Sequence, residues 1–576
     1  MVEFKDVQGH WAQGCIEKLV GLGLTKGYDD GTFRPDAFVT RAEFAAFASR
    51  AFPNQPIIRQ PFDFKDVPPT HWAYPEIAKA YRQGFLSGYA DQSFRPSQNI
   101  LRVHALISLA SGLRLPLTQP ANYTLTQTFN DGSEVPEYGR TVVAAATERG
   151  LVVNYPDVRF LRPNASATRA EIAAFLVQAL LKPGESSPVS AQYRAQTSLV
   201  PAPVGEIRGV WLTNIDSNVL YYPETLTQAI NLLAELNINT LYPVVWNRGY
   251  TLYPSAVMER LIGTKIYPIS LLEDRNILNE IIPQARAKNM SVIPWFEFGF
   301  MVPQSSKIIQ TRRHWMTQRQ DGSFLVPETE GSTNMLAWLN PFHPQVQQFM
   351  LDLVLEVVRN YDIEGIQIDD HFGLPVELGY DPFTIQLYRR EHDGKTPPPN
   401  FRDPEWIAWR ANKITDFIMR LFWMIKEYKP RYILSLSPNT QAFSYNNYLQ
   451  DWHTWEQSGY LEEIVMQVYR NNLESFSPDL QRPEVLDGKI HVPFGIGILT
   501  GLRDRPAQLS MVEAQVQETR DRRFAGVAFF FYESLRVLTS TATGKAEFQA
   551  LFPSSTARPK IVNASIPARP DTELNP

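Results

Sequence analysis

Beyond residue 205 the chain reads as short apolar runs separated by longer amphipathic stretches. Eight runs, at 209–213, 240–246, 291–296, 365–368, 432–436, 463–467, 490–494 and 526–531, have the length and the β-branched and aromatic content of buried strands. Between them, stretches such as 226–236, 346–360, 406–428 and 508–523 repeat apolar residues every three or four positions, as one face of a helix does. This alternation marks parallel strands joined by crossover helices. Eight such steps over about 330 residues predict an α/β fold, a (β/α)8 TIM barrel with enlarged loops.

Before residue 182 the pattern is helical and it repeats. Phe4-Lys5-Asp6-Val7 returns as Phe64-Lys65-Asp66-Val67, and His10-Trp11 returns as His71-Trp72, a step of 61 residues. A looser third copy contains Phe129-Asn130-Asp131, Asn154-Tyr155-Pro156-Asp157 and Ala167-Thr168-Arg169-Ala170-Glu171. Each unit reads as helix, tight turn, helix. The turn Tyr28-Asp29-Asp30-Gly31 uses residues that tolerate unusual backbone angles. Thr40 and Thr168 each precede a Glu by three positions, the pattern of a capping box, and Phe44, Phe47, Ala48 and Phe52 follow the first at helical spacing.

These residues resemble S-layer homology repeats. The resemblance implies an N-terminal all-α domain over 1–181, with repeats at about 3–55, 63–115 and 128–181, that anchors the chain to cell-wall polymers. It also implies that Arg41 and Arg169, in Thr-Arg-Ala-Glu, contact the wall glycan. The second repeat reads Leu101-Arg102-Val103-His104, which keeps Arg102 without the Thr and Glu. The alternative for these arginines is a solvated or helix-capping role. Residues 182–205, rich in Pro and Ser and without periodicity, are expected to be a linker. The barrel is expected over 206–553 and a poorly ordered Pro-rich tail over 554–576.

Composition changes the picture little. A net charge of −5 gives no reason to expect nucleic acid. The single cysteine, Cys15, excludes both an intramolecular disulfide and a cysteine zinc cluster. No apolar run reaches about 18 residues, so no membrane span is expected. The opening segment Met1-Val2-Glu3-Phe4-Lys5-Asp6 lacks the basic and apolar regions of a signal peptide, so no export signal is visible in this sequence. The 12 Trp and 24 Tyr suit stacking on pyranose rings as well as core packing.

In barrels of this kind chemistry sits at the C-terminal strand ends. The residues there are Trp246, Asn247 and Arg248 after the second strand, Trp295 and Glu297 at the third, and Asp369, Asp370 and His371 at the fourth. Asn439 follows the fifth, Gln467, Tyr469 and Arg470 end the sixth, and Tyr532 and Glu533 follow the eighth. Glu297, Asp369, Asp370 and Glu533 are the candidate catalytic carboxylates. Glycoside hydrolysis needs one acid of raised pKa and one anionic partner, and crowded carboxylates in a dry site acquire those roles. Trp246, Arg248, Trp295, His371, Asn439, Gln467 and Tyr469 are candidate sugar-binding groups. The plainer alternatives are a salt-bridge cluster or helix cap for the Asp pair, a buried structural acid for Glu297, and an orienting role for Glu533. No cofactor and no metal are expected. The nine His include no His-x-x-x-His pair, which argues against a metal-dependent deacetylase.

Arg208-Gly209-Val210-Trp211, Tyr253-Pro254-Ser255, Leu339-Asn340-Pro341, Tyr361 through Asp370, Trp409-Arg410, Ser437-Pro438 and Gln467-Val468-Tyr469 are similar to the glycosyl-hydrolase-like 10 family. That resemblance implies a hydrolase trimming peptidoglycan strands that lack stem peptides, or another amino-sugar polymer. Its acidic pair maps onto Asp369 and Asp370. Glu364 stands where the family commonly has Asp, and Pro294-Trp295-Phe296-Glu297-Phe298 departs from the usual third-strand ending. The family's likeness to amylase-like barrels implies Asp369 as nucleophile or transition-state stabiliser, with Glu297 or Asp370 as acid. The expectation is a bacterial glycoside hydrolase of the cell envelope, periplasmic or extracellular, held to cell-wall polysaccharide or peptidoglycan. The alternative is a non-catalytic wall-binding or structural envelope protein.

Overall fold

The computed structural model describes residues 4–182, 185–197, 204–328, 332–502 and 505–560. The chain divides into two compact units, 1–201 and 202–576. Parts of the expected linker (183–184 and 198–203) and of the expected tail (561–576) lie outside the described residues. No described helix is long and apolar enough to cross a membrane.

The first unit is helical and built on a three-way internal symmetry. Equivalent helices run over Arg41–Ala51, Arg102–Gly112 and Arg169–Leu180. Capping boxes form at Thr40 with Glu43 and at Thr168 with Glu171, whereas Leu101 has no side chain able to cap. The segments before these helices close a ring of backbone hydrogen bonds. Val39 donates to the Ala167 carbonyl (3.0 Å), Ala167 to Ile100 (2.9 Å) and Ile100 to Val39 (2.8 Å).

The three arginines close a second ring. Arg41 Nε donates to the Phe94 carbonyl of the next repeat, Arg102 Nε to Leu161, and Arg169 Nε to Phe33, each at 2.8 Å. Expected at a glycan surface, Arg41, Arg102 and Arg169 are only 5%, 0% and 7% exposed. Their burial has a physical reason. A helix's first residue faces the neighbouring repeat's turn, whose carbonyls lie outside any ladder and need donors.

The second unit is a closed eight-stranded parallel barrel. Its strands are β1 (Ile207–Leu212), β2 (Thr240–Pro243), β3 (Ser291–Val292 with Trp295–Phe296), β4 (Gly365–Asp369), β5 (Ile433–Ser437), β6 (Glu463–Gln467), β7 (Phe494–Leu499) and β8 (Gly526–Phe530). Order around the ring follows the chain, and β8 pairs with β1. The ring closes through β3. Ser291 and Val292 pair with β2, and Trp295 and Phe296 with β4. The interruption falls at Pro294, which has no N–H to give and instead accepts from Gln367 N at 2.9 Å. Every residue of β1, β4 and β5 is buried, as expected for strands covered on both faces.

Strand seven differs from the expected 490–494. Ile490 and His491 end a helix, Pro483–His491, and the strand begins at Phe494. Its alternating glycines answer crowding, since a Cβ on Gly497 would meet the Trp211 ring at 3.2 Å. Glu364 uses its extra length to accept from Val292 N at 2.6 Å, tying β4 to β3.

A polar chain runs through the barrel interior. Trp211 Nε1 donates to Gln367 Oε1 (2.7 Å), Gln367 Nε2 to Ser435 Oγ (3.1 Å), and Ser435 Oγ to Glu463 Oε1 (2.8 Å). Tyr242 donates to the same Glu463 oxygen at 3.1 Å, and Arg558 pairs with the other. Residues 554–560, expected as the start of a poorly ordered tail, are therefore part of the barrel. Ser554, Thr556 and Ala557 accept from Arg208, Asn239 and Glu206 in turn. Without Arg558 the buried Glu463 would lack a cationic partner, which is costly.

Candidate active site

The period of two along a strand decides which side chains reach the barrel mouth. Trp211, Trp295 and Gln367 point inward, so Thr213, Glu297 and Asp369, each two residues on, do so at the C-terminal end. Trp211, Trp295 and Phe530 pack ring against ring, with centroids 6.2–6.5 Å apart, and Tyr469 lies on Phe530 at 5.5 Å. The carboxylates stand above an aromatic floor.

Asp369 is 2% exposed. Its Oδ1 accepts from Asp370 N (2.7 Å), Gln467 Nε2 (2.8 Å) and Ser437 Oγ (3.3 Å). Despite these donors its pKa lies well above the usual carboxylate range, first through burial and then through the Asp370 charge. Asp370 is more open. Asn439 Nδ2 donates to its Oδ2 at 2.6 Å, and His371 Nδ1 stands 3.1 Å from its Oδ1. His371 Nδ1 is also 3.0 Å from the Glu297 carbonyl, which bridges β3 and β4. Asp369, Asp370 and His371 offer ligand atoms within 4.8 Å of one another and could together hold a cation.

Glu297 is 7% exposed and receives hydrogen bonds from Asn247 Nδ2 and, at 3.3 Å, Thr213 Oγ1. Burial pushes its carboxyl up to about 8, against the pull of those donors and of the Arg248 charge. An unfolded Glu loses its proton near the ordinary value of 4.5, whereas this one keeps it to about 8. Between those values the folded state binds more protons, so stability falls as pH rises through that window. Glu297→Gln is neutral throughout and escapes the loss. The melting-temperature difference, variant minus wild type, is expected to grow by about 2 °C or more between pH 5 and pH 8. A difference that stays constant across that range would mean that Glu297 titrates normally.

The remaining expected residues divide. Gln467, Asn439, His371 and Tyr469 gather on the acidic pair; the Tyr469 hydroxyl is raised well above its ordinary value by burial and then by Asp369, Asp370 and Glu297. Arg248 and Phe298 border a cleft of about 720 Å³, whose walls include Tyr250, Tyr267 and Asn334. Trp246 is fully buried, with Nε1 donating to the Gly299 carbonyl at 2.8 Å, and so braces a loop rather than presenting a ring. Trp295 is 3% exposed and belongs to the floor, and its buried Nε1 has no hydrogen-bond partner among the described residues. Glu533 stands apart from the cluster. It accepts from Ser217 and Arg536, both at 2.9 Å, and lines a separate polar cleft of about 580 Å³ with Asn214 and Tyr221. The eighth strand ends at Phe530, so Glu533 falls on the following helix, Tyr532–Leu538. Asn247, at the end of the second run, and Ser437, in the Ser437-Pro438 motif, are among the residues the sequence brings forward, whereas Thr213 and Gln450 are not. Gln450, which donates to the Asp369 carbonyl at 3.1 Å from a distant helix end, carried no signal.

The family model described as glycosyl hydrolase-like 10 matches residues 206–518, and that of the S-layer homology domain matches 3–45, 63–105 and 128–173. The chain is similar to the glycosyl hydrolase DigH of Escherichia coli K12, 24% identical over 314 residues, or 49% of this chain and 66% of DigH. It is also similar to a cellulosome-anchoring protein of Acetivibrio thermocellus, 47% identical over 77 residues, or 13% of this chain and 17% of that protein. It thus spans under two thirds of the length of either curated relative. Among solved structures, the glycoside hydrolase domain of PgaB (BpsB) from Bordetella bronchiseptica superposes with a TM-score of 0.43 at 14% identity, over 60% of this chain and 98% of that one.

Proposed function

The chain belongs to the glycosyl hydrolase-like 10 family, and from that premise we propose that its barrel hydrolyses a glycosidic bond in a cell-wall glycan, most simply the amino-sugar strands of peptidoglycan. The observation that carries this reading is the buried Glu297, held protonated to about pH 8 beside the Asp369–Asp370 pair. Glu297 protonates the leaving glycosidic oxygen. The acidic pair resists carrying two charges, so Asp369 ionises most favourably when positive charge grows at the anomeric carbon. There it acts as nucleophile or stabiliser, and its stabilisation is concentrated in the transition state. Asn439 and His371 hold Asp370, and Gln467 and Ser437 hold Asp369.

The three S-layer homology repeats hold the enzyme at the wall, which places it at the cell envelope. With Arg41, Arg102 and Arg169 buried between repeats, the exposed rings of Trp72 (61%) and Tyr138 (71%) are the better candidates for stacking on wall sugars. The test is product analysis by mass on intact peptidoglycan, amidase-stripped strands and chitooligosaccharides. New reducing ends from stripped strands, absent with Glu297→Gln, are expected. No product from any glycan, with the full chain still retained on wall material, would make this a binding protein.

A further inference from the structure

We propose that the barrel unit carries a divalent-cation site of the Zn²⁺ class, remote from the carboxylate cluster and built from His453, Glu456, Asp487 and His491. The first two lie on the helix Trp452–Gln457 and the last two on the helix Pro483–His491. These helices lead into β6 and β7. Spacings of three and four residues put each pair on one helical face.

The side chains converge. His491 Nδ1 lies 2.8 Å from Glu456 Oε1, His453 Nδ1 3.7 Å from Glu456 Oε2, and His453 Nε2 3.7 Å from Asp487 Oδ2. His453, Glu456 and Asp487 offer ligand atoms within 4.8 Å of one another. A tetrahedral Zn²⁺ shell with bonds of about 2.0–2.1 Å has edges of about 3.3 Å. Each imidazole gives one ring nitrogen to such a shell, so closing it requires the His453 and His491 side chains to rotate.

The centre brings two carboxylates together. Gln457 Nε2 lies 2.8 Å from Glu456 Oε2 and 2.8 Å from Asp487 Oδ2, and its two protons bridge them. His491 Nδ1 stands 2.8 Å from Glu456 Oε1, to which it can donate. Among the described residues the buried His453 Nδ1 has no hydrogen-bond partner, and the fully buried Glu456 side chain meets two imidazoles and the Gln457 amide. A doubly charged ion in the place of the amide would satisfy all four groups at once. Two imidazoles and two carboxylates suit Zn²⁺ better than Ca²⁺ or Mg²⁺, which prefer all-oxygen shells. The other three side chains are 33%, 39% and 45% exposed, which leaves an entry path. Four protein ligands leave no open position, so the ion's role is to clamp the two helices.

The test uses the full chain stripped with chelator and titrated with ZnCl₂ by calorimetry, and with Co²⁺ by absorbance. One equivalent of Zn²⁺, tetrahedral-type Co²⁺ bands and a raised melting temperature are expected. Asp487→Asn and His453→Gln should each weaken binding at least about 10-fold. Gln457→Leu should leave binding intact or tighten it, because it removes the competing amide. Asp370→Asn, at the barrel mouth, should leave it unchanged. Absence of stoichiometric binding in wild type overturns the proposal. So does binding that survives Asp487→Asn and His453→Gln, or that is lost with Asp370→Asn.

Discussion

Asp369→Asn is expected to lower turnover on bare glycan strands about 10³-fold while leaving the melting temperature unchanged or higher. The two halves of that result have one cause. Asp369 is almost fully buried and its neighbour is another carboxylate, so its ionised form is held at a cost that burial and Asp370 both impose. Asn is nearly isosteric. It keeps an oxygen for the donors on Asp370 N, Gln467 and Ser437, and it removes the charge that the site resists. A group that weakens the fold and is retained for chemistry shows this opposition of stability and activity. The measurement is steady-state release of reducing ends, with thermal melts of the same preparations. A variant that turns over like wild type sinks the nucleophile assignment. A loss confined to Asp370→Asn would transfer the role to Asp370. On the alkaline side, activity is expected to fall through about pH 8 as Glu297 loses its proton.

Arg102→Ala is expected to destabilise the N-terminal unit by about 3 kcal/mol, lowering its melting transition by roughly 10 °C. Arg102 is 0% exposed; it pairs with Glu171 at 2.5 Å and donates to the Leu161 carbonyl at 2.8 Å. Burial lowers its own pKa to about 10, still far above neutrality, so it remains a cation in the core. Its removal leaves the buried Glu171 to Arg162, whose side chain is 40% exposed, and strips the Leu161 carbonyl of its donor. Lys in its place cannot reproduce the fork of donors. Calorimetry of the full chain resolves the transition. Loss of wall binding with an unshifted transition would reveal a ligand-contacting arginine instead of a clasp between repeats.

Much of this protein was legible in the residues. Seven of the eight strand positions, the capping boxes at Thr40 and Thr168, and the gathering of Glu297, Asp369 and Asp370 at one mouth all follow from local pattern. Hydrophobic period and capping chemistry act over a few residues, and a strand's last side chains are read directly from where the apolar run stops. The seventh strand was lost because glycine signals a breaker locally, while its need for open space against Trp211 is set by a residue nearly three hundred positions away.

The sequence by itself determined the two kinds of architecture, the threefold repeat and the identity of the acidic pair, because each is a matter of short-range periodicity. Only the tertiary structure decided what the charged groups do. It turned Arg41, Arg102 and Arg169 inward across repeat junctions, drew Arg558 from the tail into the barrel against Glu463, buried Trp246, and set Glu533 off on its own helix. Burial and partner choice are properties of the closed ring of strands and the closed ring of repeats, and closure joins residues that no local spacing connects.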